Sequence, residues 1–114
     1  MSTTTHHDLP RPEAFVEMPG MRGIRVARTA SADGRSLEYI EATKDVVLPA
    51  MTHPSKEEGR VLSGKILFMQ EGQSRTLSQG DTWSVEAGQH QGPHVVLEDA
   101  LVAVFHHGKS AYDA

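Results

Sequence analysis

The chain contains no cysteine. Disulfides, thiolate metal sites and cysteine nucleophiles are excluded together, and the usage fits a reducing, cytoplasmic setting. Aromatic residues make up only 5%, too few for the stacking platforms that hold single strands. Positive charge is in deficit: Lys plus Arg number 11 against 15 for Asp plus Glu, a formal charge of −4. Such a chain is poorly equipped to neutralise phosphates, so no nucleic-acid partner is expected. No run approaches the ~18 apolar residues of a membrane helix, and residues 1–12 lack the apolar centre of a signal peptide. No membrane partner is expected either. A serine nucleophile motif and a phosphate-cradling glycine loop are also missing. With 114 residues, the chain is long enough for one domain and one thin core.

What is present is a succession of short extended runs. Residues 1–12 (MSTTTHHDLPRP) hold nothing that fills a core; they read as a flexible arm, with His6 and His7 solvated, ahead of a domain over 13–114. A short helical turn fits at 12–15 or near Ala111. Residues 24–28 and 37–43 alternate in side-chain character around Asp33-Gly34, a pair suited to a tight hairpin. Pro49 stops the run 46–48. Further strands are expected over 60–63, 65–70, 75–78, 82–86, 95–97 and 100–106, with Gly64 between the first two and turns at 71–74, 79–81 and 87–88. Turns every 8–12 residues or so, with no long apolar stripe of helical period, describe an all-β sandwich or barrel. Residues 100–105 are apolar on both faces, as in a strand covered from two sides. A small all-β domain must also protect its edges, and a homodimer is one solution.

Two stretches concentrate metal-ligand chemistry: residues 51–64 (MTHPSKEEGRVLSG) and 80–94 (GDTWSVEAGQHQGPH). Met51 and His53 are two apart and face one way. His90 and His94 would share a face in an unbroken strand, but Gly92-Pro93 favours a bulge that re-aims the residues after it. One of the two faces inward, and the sequence leaves both open. His106 and His107 are adjacent, so one at most faces inward; both read as a strand end at the surface or at a subunit contact. Trp83 reads as core or as pocket wall. Arg60 and Arg75 carry guanidinium forks suited to a carboxylate, against a solvated strand face as the plainer reading.

These stretches resemble the two motifs of the cupin family. His53, Glu57 and Gly64 reproduce the end of the first motif, and Gly80-Asp81 with Gly88 reproduces the spacing of the second. Four family positions differ: Asp45 stands at the opening glycine, Met51 at the first histidine, Glu86 at the proline and Gln91 at the second-motif histidine. The resemblance implies a single-domain β-barrel of the double-stranded β-helix or jelly-roll type. It is similar to the RmlC-like and KdgF-like small cupins, the latter acting on unsaturated uronates. It also implies a divalent metal held by His53, Glu57 and His90 or His94, with Met51 and Gln91 at the remaining ligand positions. Zinc, iron, nickel or manganese suits imidazole and carboxylate, and a thioether such as Met51 admits copper. Met51, Gln91, Arg60 and Trp83 are the expected substrate-pocket residues. Isomerase, lyase or dioxygenase chemistry on a small polar metabolite is implied by analogy. The alternative is a degenerate cupin without metal, binding a small ligand or serving as an oligomerisation module.

Overall fold

The computed structural model describes residues 11–30 and 33–109. His6, His7, most of the expected arm and the alternative helical turn near Ala111 lie outside the described residues. Pro12–Ala14 forms a 3-10 turn, and eight strands come after it. These are β1 (Val16–Glu17), β2 (Ile24–Ala30), β3 (Ser36–Ala42), β4 (Val47–Leu48), β5 (Glu57–Gln70), β6 (Gln73–Ser78), β7 (Thr82–Val85) and β8 (His94–His106). No α-helix occurs among the described residues, and none is long and apolar enough to cross a membrane.

All pairings are antiparallel, in the order β1-β2-β3-β8-β5-β6, with β4 on β8 and β7 on β5. The two longest strands bind the fold. One half of β8 runs between β3 and β5; its other half runs between β4 and β5. β5 likewise takes β7 along its first residues and β6 along its last. The sheet therefore turns back on itself along β5 and β8 and closes into a jelly-roll barrel.

Here the structure corrects the sequence reading, which broke both strands into two. Gly64 does not end a strand; it bends one. Its φ is +89° and the β5–β8 register shifts three times between Val61 and Ile66. A bulge adds a residue on one side and lets the strand turn without losing its partner. Glu98 and Asp99 likewise pass through without a break in β8. The hairpin turn expected over 71–74 is tighter: Glu71-Gly72 alone forms it, both residues at positive φ, and Gln73 and Ser74 already belong to β6.

Alternation puts Val61, Ile66, Phe68, Val96, Val102 and Val104 inside the barrel. On the other face Leu101 and Ala103 pack with Phe15, Ala27 and Tyr39. Residues 100–104 are thus covered from both sides, as their composition requires.

Candidate metal centre

The second-motif segment is fastened to the first by a two-way backbone bridge, Met51 N–H to Gln91 O at 2.8 Å and Gln91 N–H to Met51 O at 3.0 Å. This brings Met51, His53 and Gln91 to one end of the barrel. Glu57 opens β5 with its side chain inward. Register places His106 directly across from Glu57 on β8, and partners across a pair share a face. Three potential ligand atoms, one each from His53, Glu57 and His106, lie within 4.8 Å of one another. The three residues are 3%, 5% and 1% exposed.

The contacts define each group's role. His53 Nε2 lies 3.0 Å from Glu57 Oε1. Trp83 Nε1 donates to Glu57 Oε2 at 2.6 Å, and Gln91 Nε2 donates to Oε1 at 3.1 Å. His106 Nε2 meets Glu38 Oε1 at 3.0 Å, and a carboxylate partner fixes the imidazole proton on that nitrogen. The other nitrogen, Nδ1, then carries a lone pair; it is buried and has no hydrogen-bond partner. An unpaired buried polar atom is costly. A ring with a free lone pair, 5.0 Å from a second imidazole and backed by a carboxylate on its far nitrogen, has the features of a metal-ligating histidine. Imidazole and carboxylate donors suit divalent first-row ions, so the residues present fit a metal.

Burial pushes the Glu57 carboxyl upward. Hydrogen bonds from His53, Trp83 and Gln91, with the charge of His53, outweigh that push and hold it below its ordinary value. For His94 burial dominates and lowers its pKa to about 4, the charge of Glu57 opposing in part. Glu57 is therefore ionised and His94 neutral at pH 7. His94 Nδ1 accepts from Met69 N–H at 3.1 Å, so Nε2 donates to Gln91 Oε1 at 3.0 Å. The ring stacks on Phe68 with centroids 4.2 Å apart.

His94 therefore faces the cavity but has both nitrogens occupied. Met51, His53, Glu57, Gln91 and Trp83 also line it. His90 does not: it is exposed, with its backbone N–H on Glu71 Oε2 at 2.5 Å. Between it and His94, Gly92 takes φ +81° and interrupts the extended run. Arg60 is also outside, exposed on an outer groove with Glu58 and Phe105. The reading of His106 as a surface strand end is corrected as well. It continues the inward series Ala100, Val102, Val104, a period-two signal present in the sequence. Glu38 was missed because a carboxylate inside a barrel is intelligible only through its partner, His106. His107, as adjacency demands, points out to Glu58 at 3.2 Å.

Trp83, the single tryptophan, reaches Glu57 only because its strand partner is Gly59. A Cβ on Gly59 would lie 2.5 Å from Trp83 Cη2 and closer still to two other ring atoms. Gly59→Ala is expected to displace the indole, shift its emission to the red and cost about 2 kcal/mol. An unchanged emission spectrum would contradict this packing.

The His94 shift sets an acid limit. Its unfolded pKa is near 6.5 and its folded value about 4. The unfolded chain therefore binds the extra proton between these values, and stability falls as pH drops through that window. The loss is expected to reach up to about 3 kcal/mol. Urea midpoints measured between pH 7 and pH 4 should fall accordingly, and His94→Gln should flatten the slope.

Residues 40–106 match the family of cupin domains. No curated protein matches the chain. Among solved structures, KdgF from Halomonas sp. superposes with a TM-score of 0.68 at 22% identity, covering 81% of this chain and 84% of that one. An RmlC-like cupin from Shewanella frigidimarina gives 0.74 at 16% identity, covering 87% and 88%. A salicylate 1,2-dioxygenase from Pseudaminobacter salicylatoxidans gives 0.68 at 12%, covering 74% of this chain and 26% of that larger one. At these identities the likeness is one of fold.

Proposed function

The chain belongs to the cupin family, and from that membership we propose that it is a metal-dependent enzyme acting on a small molecule, with His53, Glu57 and His106 as its protein ligands. Two imidazoles and one carboxylate with open positions suit iron(II) best, while zinc, nickel and manganese accept the same donors. When bound, the ion supplies Lewis-acid polarisation and activation of water or oxygen. The chain's own residues do the rest. Glu38 holds the His106 tautomer. Trp83 and Gln91 orient Glu57. Apolar walls from Ile40, Ile66 and Phe68 exclude bulk water. The dioxygenase among its structural neighbours is consistent with oxygen chemistry. One observation carries the reading: buried His106 has an unpartnered Nδ1 and forms, with His53 and Glu57, a group whose potential ligand atoms lie within 4.8 Å of one another.

The test is elemental analysis of the purified protein. About one ion per chain is expected, falling at least tenfold in His53→Ala and in His106→Gln. Two variants on different elements guard against a single folding failure. No ion after incubation with zinc, iron, nickel, manganese and copper would overturn the proposal. That outcome would leave a ligand-binding cupin without metal, a reading favoured by the three donors that already satisfy Glu57. A homodimer is part of the same proposal, supported by the two-residue edge strand β1 and its 67%-exposed Val16.

A further inference from the structure

The cavity beside His53, Glu57 and His106 is small, about 70 Å³. An apolar hole of about 150 Å³ takes a benzene, so a substrate must also lie elsewhere. The concave wall does not end at β3. Register pairs Val26 with Ile40 and Arg28 with Glu38, so the inward face of β3 continues onto β2. A cleft of about 210 Å³ lies along that continuation. It shares Glu38, Ile40 and Leu48 with the cavity and adds Met18, Met21 and Val26.

Charge narrows what fits. Besides the imidazoles of His53, His94 and His106, cavity and cleft together present two carboxylates, Glu38 and Glu57, and one guanidinium, Arg28. Arg28 is engaged: its Nε lies 3.6 Å from Glu38 Oε2, and Nη2 donates to Ser36 Oγ at 3.3 Å. Arg75 sits 5.8 Å from the Phe68 ring centroid and does not line the cavity. An ionised substrate would therefore be desolvated against apolar walls and facing carboxylates, with the nearby guanidinium already committed. Burying a charge without a partner is costly. Thioethers, by contrast, adapt to apolar and aromatic shapes.

We propose that the substrate is a neutral, mainly apolar small molecule. Its apolar body lies in the cleft against Met18, Met21, Val26 and Leu48, and one hydroxyl or carbonyl oxygen reaches the His53–Glu57–His106 end past Glu38. This rests on the metal reading for its chemistry; the charge argument is confined to the cleft where the apolar body lies, since a bound divalent ion at the far end would accept a neutral or an anionic oxygen. A sugar acid, as the KdgF-like resemblance implies, does not suit this wall.

The test titrates 4-ethylphenol, neutral at pH 7, and its charged counterpart 4-ethylbenzoate into the 114-residue chain. Trp83 emission and calorimetry report binding. The phenol is expected to bind at least about tenfold more tightly than the benzoate. Met21→Asp, a half-buried position, should weaken it at least about tenfold. Met18→Asp puts the same charge in the cleft should Met21→Asp fail to fold. Equal or tighter binding of 4-ethylbenzoate or of galacturonate overturns the proposal, as does phenol binding indifferent to the aspartate. Metal content is read separately on the same samples. A chain that takes no metal sinks the metal reading, and the probe ranking still decides this one.

Discussion

Glu57→Leu is expected to cost about 4 kcal/mol of stability and to abolish metal binding. The carboxylate is buried and satisfies three donors: His53 Nε2, Trp83 Nε1 and Gln91 Nε2. Leucine leaves all three facing an apolar side chain. Each buried donor without an acceptor costs about 1–3 kcal/mol, and the added apolar contact offsets part of the sum. The loss extends to His94, because Gln91 is held between Glu57 and that imidazole. A fall in melting temperature of roughly 15 °C is expected for a domain of this size. Glu57→Gln keeps the shape and one acceptor oxygen, so about half that loss is expected. Urea unfolding decides it: a leucine variant within about 1 kcal/mol of the parent would show that the network does not stabilise the barrel.

Gly64→Ala should be comparably damaging for a different reason. At φ +89° any side chain is strained, by about 1–2 kcal/mol. At Gly64 there is also no space: an added Cβ would lie 2.6 Å from Ala100 Cα and nearer still to the Asp99 carbonyl oxygen. Either β5 or β8 must move, at the bend that joins the two halves of the barrel. The total is expected near 4 kcal/mol. Gly72 separates the backbone effect from the crowding. Its φ is +79°, yet a Cβ there meets nothing within 4 Å. Gly72→Ala should therefore cost only about 1 kcal/mol. Equal losses at the two glycines would mean that close approach of β8 to Gly64 does not limit the fold.

Much of the barrel was legible in the chain because strand signals are local. Alternation over 37–43 and the continuous apolar run 100–105, with Gly and Asp turns between, need no knowledge of partners. The two missed continuities, at Gly64 and at Glu98-Asp99, are alike in one respect. A glycine, or a pair of charged residues, looks the same in sequence whether it ends a strand or lies within one, and only a facing strand distinguishes the cases. The site was legible in part for the same reason. The resemblance to the first cupin motif rests on His53, Glu57 and Gly64 within one segment, and His106 was available from the inward series 102, 104, 106. The choice between His90 and His94 stayed open because the facing of a strand after Gly92 depends on backbone angles that composition does not fix.

The sequence by itself determined the all-β character, the hairpins, the family, and the end of the barrel where His53 and Glu57 stand, since each depends on neighbouring residues along the chain. The tertiary structure alone decided that His106 and Glu38 join them and that His94 is locked between Met69 and Gln91. It also decided that the pocket wall runs on to Met18 and Met21. Those facts depend on the register between strands distant in sequence. A shift of one residue in that register would turn every one of these side chains to the opposite face.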